Sequence, residues 1–352
     1  MTENKPLIYD LDRSDIKDLL ASWKQPAFRV NQIWEGLYRN LKSSPAEWSN
    51  LPGVLKTRLA TDAVFQALTP IDTQRSSDGE TVKTLFTTLD GKSVEAVLMK
   101  YNHRRTLCIS SQAGCAMNCV FCATGQMGFS RSLSSGEIVE QVLYYARMLA
   151  TEDEHVTNVV VMGMGEPFHN YDNTLAAVDR LNDSQGYNLG ARRFTISTVG
   201  LVPMIRRFTS EHRQVNLAVS LHAANDELRS SLLPVNKKYP LDELIPACRD
   251  YVDITGRRIT FEWALIQDVN DSPQDARQLI NLVRGMLCHV NVIPLNPTHE
   301  YAGKSTPLTR AREFTAVLEE FGIPCTIRLR RGIEIQAGCG QLAGQHSKPD
   351  NN

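Results

Sequence analysis

The chain has 352 residues, 42% of them hydrophobic and 22% charged, with a formal net charge of -1. This balance excludes an intrinsically disordered protein, and near-neutrality excludes a globally basic nucleic-acid binder, so any RNA contact has to come from local clusters of Lys and Arg. The polar opening MTENKPLIYD, and apolar stretches no longer than VTNVVVMGMG, leave neither a leader nor a membrane span to expect; eight cysteines without an export signal point to a reducing cytoplasm.

In chain order, the first segment is helical. RVNQIWEGLYR places Val30, Ile33, Trp34, Leu37 and Tyr38 at helical spacing between Pro26 and Pro45. Trp34 and Tyr38 read as core of a small helical domain over 1–75, with Arg29, Arg39 and Lys42 on its exposed side as candidate RNA contacts. TVKTLFTTL and SVEAVLMK then flank Asp90-Gly91, a hairpin signal, in a linking segment over 76–105. From Thr106 onward, β-rich runs alternate with amphipathic helical runs. Strands are expected at 106–111, 156–162, 192–199, 215–222, 258–266 and 289–296, with a closing strand at 324–330. The helix SSGEIVEQVLYYARMLA opens on Ser134 or Ser135 as N-cap, with Glu137 in its first turn. Six strand-helix repeats predict an α/β fold, a parallel sheet curled into a partial (β/α)6 TIM-like barrel over 106–345, followed by a polar tail at 346–352.

GCAMNCVFCATG carries Cys115, Cys119 and Cys122 in a C-x3-C-x2-C run. A C-x2-C pair alone suits half a zinc site or a thioredoxin-like redox pair. Zinc, however, wants a second close pair, and Cys108, Cys248, Cys288, Cys325 and Cys339 are scattered singly; a redox pair has no third cysteine four residues upstream. A cubane cluster has four irons, and three thiolates leave one of them open to a ligand. The run, with Phe121 between its last two thiols, resembles the cluster loop of the radical S-adenosylmethionine superfamily. That likeness implies a 4Fe-4S cluster whose open iron chelates S-adenosylmethionine and whose reduction releases a 5'-deoxyadenosyl radical.

Reactive groups of a parallel barrel gather at the carboxyl ends of its strands. Here those ends run into Gly163-Met164-Gly165-Glu166-Pro167, Ser197-Thr198, Ser220-Leu221-His222 and Asn296-Pro297. Singly each is a turn or a structural histidine; together they outline a cofactor-sized pocket in which glycines admit close approach and Glu166 accepts from an amino group. Cys339, in AGCGQLAG, sits between glycines in a loop able to carry its thiol into the barrel mouth. Cys108 lies on the first barrel strand and is able to reach the same opening.

CISSQAGCAMNCVFCATGQMGF, MGMGEP, SLHA, PLNP and AGCGQLAG, in this order, together with the amino-terminal FRVNQIWEGLY, resemble the RlmN family of RNA adenine-C2 methyltransferases over nearly the whole chain. The resemblance implies that Cys115, Cys119 and Cys122 hold the cluster and that Gly165, Glu166, Ser197, Ser220, Leu221, His222 and Asn296 contact S-adenosylmethionine. It further implies that Cys339 carries the methyl group, that Cys108 resolves the protein–RNA adduct through a disulfide, and that Glu95 accepts the carbon-2 proton. Glu80, in a turn, and Glu137, at a helix start, are poorer candidates for that base. The implied substrates are 23S rRNA and tRNA, the implied electron donor a protein such as flavodoxin, and the expected state a cytoplasmic monomer.

Carbon 2 of adenine is electron-poor and the methyl of S-adenosylmethionine is electrophilic, so direct transfer between them is mismatched. A thiolate that takes the methyl first, followed by hydrogen abstraction from it, removes the mismatch. The adenine must leave its stack to react. His103-Arg104-Arg105, Arg192-Arg193, Arg206-Arg207, Arg257-Arg258 and Arg328 to Arg331 are the local basic clusters available for phosphate. The alternatives are a Cfr-type enzyme acting on carbon 8, disfavoured by Gln112-Ala113-Gly114 and the amino-terminal text, and a non-catalytic iron-sulfur electron-transfer protein, which leaves Cys339 and the strand-end stations without a role.

Overall fold

The computed structural model describes residues 5–298, 300–328 and 331–344. Three helices, α1 (Arg13–Ser22), α2 (Arg29–Tyr38) and α3 (Gly53–Asp62), form the amino-terminal layer. Asp12 opens α1 through a reciprocal cap with Asp15. The apolar stripe of α2 is turned inward: Ile33, Trp34, Leu37 and Tyr38 are all buried, and the Trp34 and Tyr38 rings lie 4.5 Å apart. Arg29 is held by Gln32 and the Asn50 carbonyl, Arg39 by Glu35, and Lys42 by the Glu47 carbonyl over the Trp48 ring.

The chain then enters a sheet through β1 (Leu68–Arg75), β2 (Thr81–Thr88), β3 (Ser93–Tyr101) and β4 (Arg104–Ile109), antiparallel in sequence order. Gly91 turns β2 into β3 at φ +75°, with the Thr88 hydroxyl bonded to Asp90. Leu68–Arg75, which reads from sequence as the end of the helical segment, is instead a strand. Pro70 and Asp72 weaken its pattern, and the chain accommodates them with a register shift between these two residues on an outer strand.

A short hairpin, β5 (Gln112–Gly114) and β6 (Phe129–Ser132), brackets a four-residue helix α4 (Ala123–Gln126). Beyond it the strand-helix alternation begins with α5 (Ser135–Ala150), whose N-cap is Ser134 in a capping box with Glu137. The alternation continues through β7 (Asn158–Val161), α6 (Tyr171–Asn182), β8 (Phe194–Thr198), α7 (Val202–Ser210), β9 (Asn216–Ser220), α8 (Asp226–Leu232), α9 (Leu241–Thr255), β10 (Ile259–Leu265), α10 (Pro273–Val283), β11 (Cys288–Pro294), α11 (Leu308–Glu320) and β12 (Cys325–Ile327). Strands β4, β7, β8, β9, β10, β11 and β12 are parallel in that order, so the six repeats and the closing strand form one curled, open sheet extended by β1–β3. Leu329 and Arg330 of the expected closing strand, and the tail 346–352, lie outside the described residues.

One apolar core joins the amino-terminal helices to the barrel, running from Ile8 to Leu342. Polar ties cross the same seam. Asp10 accepts from the Gly136 amide and the Ser135 hydroxyl at the start of α5, Glu140 accepts from the Ala67 amide at 2.8 Å, and Arg147 reaches the Tyr9 hydroxyl. Among the described residues no helix is long and apolar enough to cross a membrane.

Candidate active site

The cluster loop is built between β5 and β6. The Cys115 amide donates to the Gly128 carbonyl at 2.9 Å and closes the loop at its base. Asn118 turns the chain at φ +53°, and Gly125 packs α4 so tightly that a Cβ there would stand 2.9 Å from the Cys119 backbone. Phe121, Leu232, Leu233, Ala264, Ile266 and Leu295 form a small apolar pad beneath Cys119. Cys115 and Cys119 are buried and Cys122 half-buried, and all three line one cavity. Burial pushes the Cys115 thiol up to about 12 and Cys119 well above its ordinary value, so cationic metal is what would turn them into thiolates. Among the described residues no three His, Cys, Asp or Glu side chains converge as ligands of a single metal ion. A cubane does not ask for that, because each cysteine takes a different iron and the thiols ring a volume instead of meeting at a point.

That cavity, of about 150 Å³, is walled by the carboxyl ends of the barrel strands. Gly165, Glu166, Ser197, Ser220, His222 and Asn296 all line it, as expected. Gly165 has φ +97° and stands so close to Gln112 that a Cβ would approach its side chain to 2.5 Å. Glu166 accepts from the Phe168 and Val199 amides, each at 2.9 Å, while burial pushes its carboxyl up to about 7. His222 sits at φ +59°, packs edge-on against Phe121, and accepts from the Ala264 amide through Nδ1 at 2.8 Å. The ring proton is therefore on Nε2, and burial lowers the pKa of His222 to about 3, keeping it a neutral donor. Leu221 is the exception: it is fully buried, is not part of the lining, and its backbone bonds Glu262 and Arg229. Its place is structural, in the turn that presents Ser220 and His222.

A second chamber, of about 90 Å³, adjoins the first and is lined by Cys108, Met99, Tyr101, Arg328 and Arg331. Cys339, Gly340, Cys122 and Asn296 belong to the walls of both. Burial, and then the neighbouring Cys339, push the Cys108 thiol up to about 12, against the pull of Arg328. Burial likewise raises Cys339, with Arg328 again opposing. Arg331 lies over the Tyr101 ring at 4.5 Å. Glu95 lines neither chamber; its buried carboxylate pairs with Lys83 at 2.9 Å and accepts from the Ala343 and Gly344 amides. Glu80 is exposed and Glu137 is engaged by its cap and by Arg131.

Basic clusters divide by position. Arg105 pairs with Glu154, Arg207 with Asp172 and Glu211, and Arg192 and Arg257 share the Gln214 side-chain carbonyl at the amino ends of the strands, away from the chambers. Of the run 328–331, Arg328 and Arg331 face the second chamber, and 329 and 330 lie outside the described residues.

Two residues of the site escape sequence reasoning, and a third is read for another role. Glu262 lines the larger cavity, accepts from Asn291 at 2.6 Å, and is raised by burial; a lone carboxylate inside the apolar run RITFEWALI is the signal that marks it. Arg229, on the short helix α8, is fully buried and donates to the carbonyls of Val199, Ser220 and Leu221, so tying the ends of β8 and β9 together. Arg328 reads from sequence as one of a basic cluster available for phosphate, and the structure sets it in the wall of the second chamber beside Cys108 and Cys339.

Residues 109–280 match the model of the Radical SAM superfamily. The chain is 48% identical over 98% of its length to a probable dual-specificity RNA methyltransferase RlmN of Chloroflexus aurantiacus, covering 94% of that protein. It is also 48% identical, over 95% of its length and 93% of the other, to the dual-specificity RNA methyltransferase RlmN 1 of Myxococcus xanthus. A crystal structure of a radical SAM methyltransferase from Sphaerobacter thermophilus superimposes with a TM-score of 0.95 at 49% identity, covering 97% of this chain and all of that one.

Proposed function

Because the chain belongs to the RlmN family of radical SAM RNA methyltransferases, we propose that it methylates carbon 2 of one adenine in 23S rRNA and one in tRNA near the anticodon loop. The observation that carries this reading is the position of Cys339 in the wall common to both chambers, beside Cys122, with Cys115 and Cys119 on one side and Cys108 on the other.

Cys115, Cys119 and Cys122 hold the 4Fe-4S cluster, and Gly165, Glu166, Ser197, Ser220, His222 and Asn296 surround S-adenosylmethionine, with Leu221 shaping the turn. When bound, the cluster and S-adenosylmethionine supply a 5'-deoxyadenosyl radical. Cys339 first takes a methyl group by displacement from one S-adenosylmethionine, releasing S-adenosylhomocysteine; Arg328 favours the thiolate that this step needs. Once that methyl has lost a hydrogen atom, which would leave as part of 5'-deoxyadenosine, the carbon on Cys339 would add to the unstacked adenine in the second chamber, where Tyr101 and Arg331 offer a flat, cationic wall. Glu95 is assigned the carbon-2 proton on resemblance. Once the adduct has given up its unpaired electron to the redox chain and its carbon-2 proton, the Cys108 thiolate attacks the sulfur of Cys339; the electron pair of the broken S–C bond leaves with the carbon, which takes a proton to become the methyl group, and the two sulfurs close as a disulfide that cellular reductant reopens.

We further assign the chain to the cytoplasm, as a monomer reduced by a donor such as flavodoxin. The test is mass spectrometry of the reduced holoenzyme after turnover with labelled S-adenosylmethionine and RNA. A methyl on Cys339 and 2-methyladenine in the RNA are expected, both lost in Cys339→Ala; unchanged turnover in that variant, or 8-methyladenine as the sole product, would overturn the reading.

A further inference from the structure

Glu95 and Lys83 face each other diagonally across β2 and β3, 2.9 Å apart, with side-chain exposures of 1% and 5%. A buried ion pair is weak evidence for stability, since an apolar pair of similar volume often serves as well. This one has partners outside the sheet. The second carboxylate oxygen accepts from the Ala343 amide at 2.8 Å and the Gly344 amide at 3.0 Å. Gly344 reaches that position at φ +60°, with Ser93 and Met164 leaving little room for a Cβ.

Ala343 and Gly344 close the loop that carries Cys339, and the loop has no helix or strand of its own. At the start of the loop Arg331 donates to the Lys100 carbonyl and Glu334 accepts from the Ser77 amide; around Cys339 itself, among the described residues, the other holds are neutral hydrogen bonds. The Ala123 amide donates to the Gly340 carbonyl, the Thr124 hydroxyl to Leu342, Asn296 to the Cys339 carbonyl, and Gln341 to Pro297. Charge-assisted bonds to a buried carboxylate are roughly twice as strong as such neutral ones. The stretch that follows Cys339 is thus fastened on one side to the cluster helix and on the other to the hairpin, and among the described residues its hairpin side rests on Glu95.

We propose that Glu95 and Lys83 are positioning residues for Cys339, forming a clasp on the C-terminal loop that holds the thiol in the shared wall of the two chambers. The inference rests on the proposed role of Cys339 as methyl carrier and adds a requirement to it. Glu95 acts already in the loading of the methyl, a step in which no proton leaves adenine and a base role has no part.

The experiment compares wild-type holoenzyme with Glu95→Gln, which breaks the charge pair, and Ala343→Pro, which deletes one of the two amide donors and leaves Glu95 in place. Methyl on Cys339 is followed by mass spectrometry with labelled S-adenosylmethionine, and amide hydrogen exchange is followed over 338–344. Both variants are expected to load methyl on the order of tenfold to a hundredfold more slowly, as a displaced reacting atom predicts, and to exchange faster in that loop. Full loading with unchanged exchange in both variants overturns the clasp, as does Glu95→Gln that loads normally and stalls as a protein–RNA adduct, the signature of a base alone. If wild-type protein carries no methyl on Cys339, the proposed function fails, while the exchange measurement still decides the clasp.

Discussion

Replacing Glu140 by Gln should stabilise the protein, and more so as pH rises. Glu140 lies on α5 at the seam with the amino-terminal helices, accepting from the Ala67 amide, and burial raises its pKa from 4.5 to about 7. Because the folded value lies above the unfolded one, there is no cost below the unfolded pKa, where both states are protonated. The cost grows between about 4.5 and 7 and is constant above. The shift corresponds to about 3 kcal/mol at its limit, of which about 1 is already present at pH 5. Gln keeps an acceptor for Ala67 and carries no charge. Denaturant unfolding of both proteins at pH 5 and pH 8.5 should therefore show the variant's advantage growing by about 2 kcal/mol. An advantage of the same size at both pH values, or one that shrinks with pH, would refute the assignment of a buried, costly carboxylate.

Gly165→Ala should fold and lose most S-adenosylmethionine affinity, because a side chain at φ +97° drives into Gln112 and displaces the strand end beside Glu166; isothermal titration against the wild type checks it, and unchanged binding would contradict it. Cys115→Ala should abolish cluster absorbance and product while leaving circular dichroism and unfolding nearly unchanged, since the apolar core runs through the barrel independently of the thiols; a largely unfolded variant would count against this.

How much was legible in advance follows from how local each feature is. The C-x3-C-x2-C run, the Asp90-Gly91 turn, the Ser134 cap and the glycines of GMGEP are written within a few residues, and the structure places each where its spacing predicts. From its neighbours in sequence alone Glu95 is an ordinary strand residue, because its partners, Lys83 on the next strand and two amides some 248 residues away, meet it only after the sheet has taken its register and the C-terminal loop has docked. Arg229 and Glu262 were hidden for the same reason, since burial that depends on neighbouring strands leaves little trace beside the residue itself. Strand β1 is not legible in the sequence because Pro70 and Asp72 mask its alternation, and an irregular register on an outer strand tolerates both residues.

On the proposed mechanism, the place of Cys339 in a wall shared by two chambers gives the protein a memory. With Cys339 as the methyl carrier proposed above, the larger cavity would serve two S-adenosylmethionine molecules in turn, so the first would have to depart as S-adenosylhomocysteine before the second enters, and between those events the only record of the first visit would be one carbon on one sulfur. The molecule would therefore alternate between two resting states of different mass, and the state in which RNA finds it would decide whether that encounter is productive. Starved of S-adenosylmethionine, a loaded population is expected to hold its carbon in reserve, as a stock counted in protein molecules and not in free metabolite.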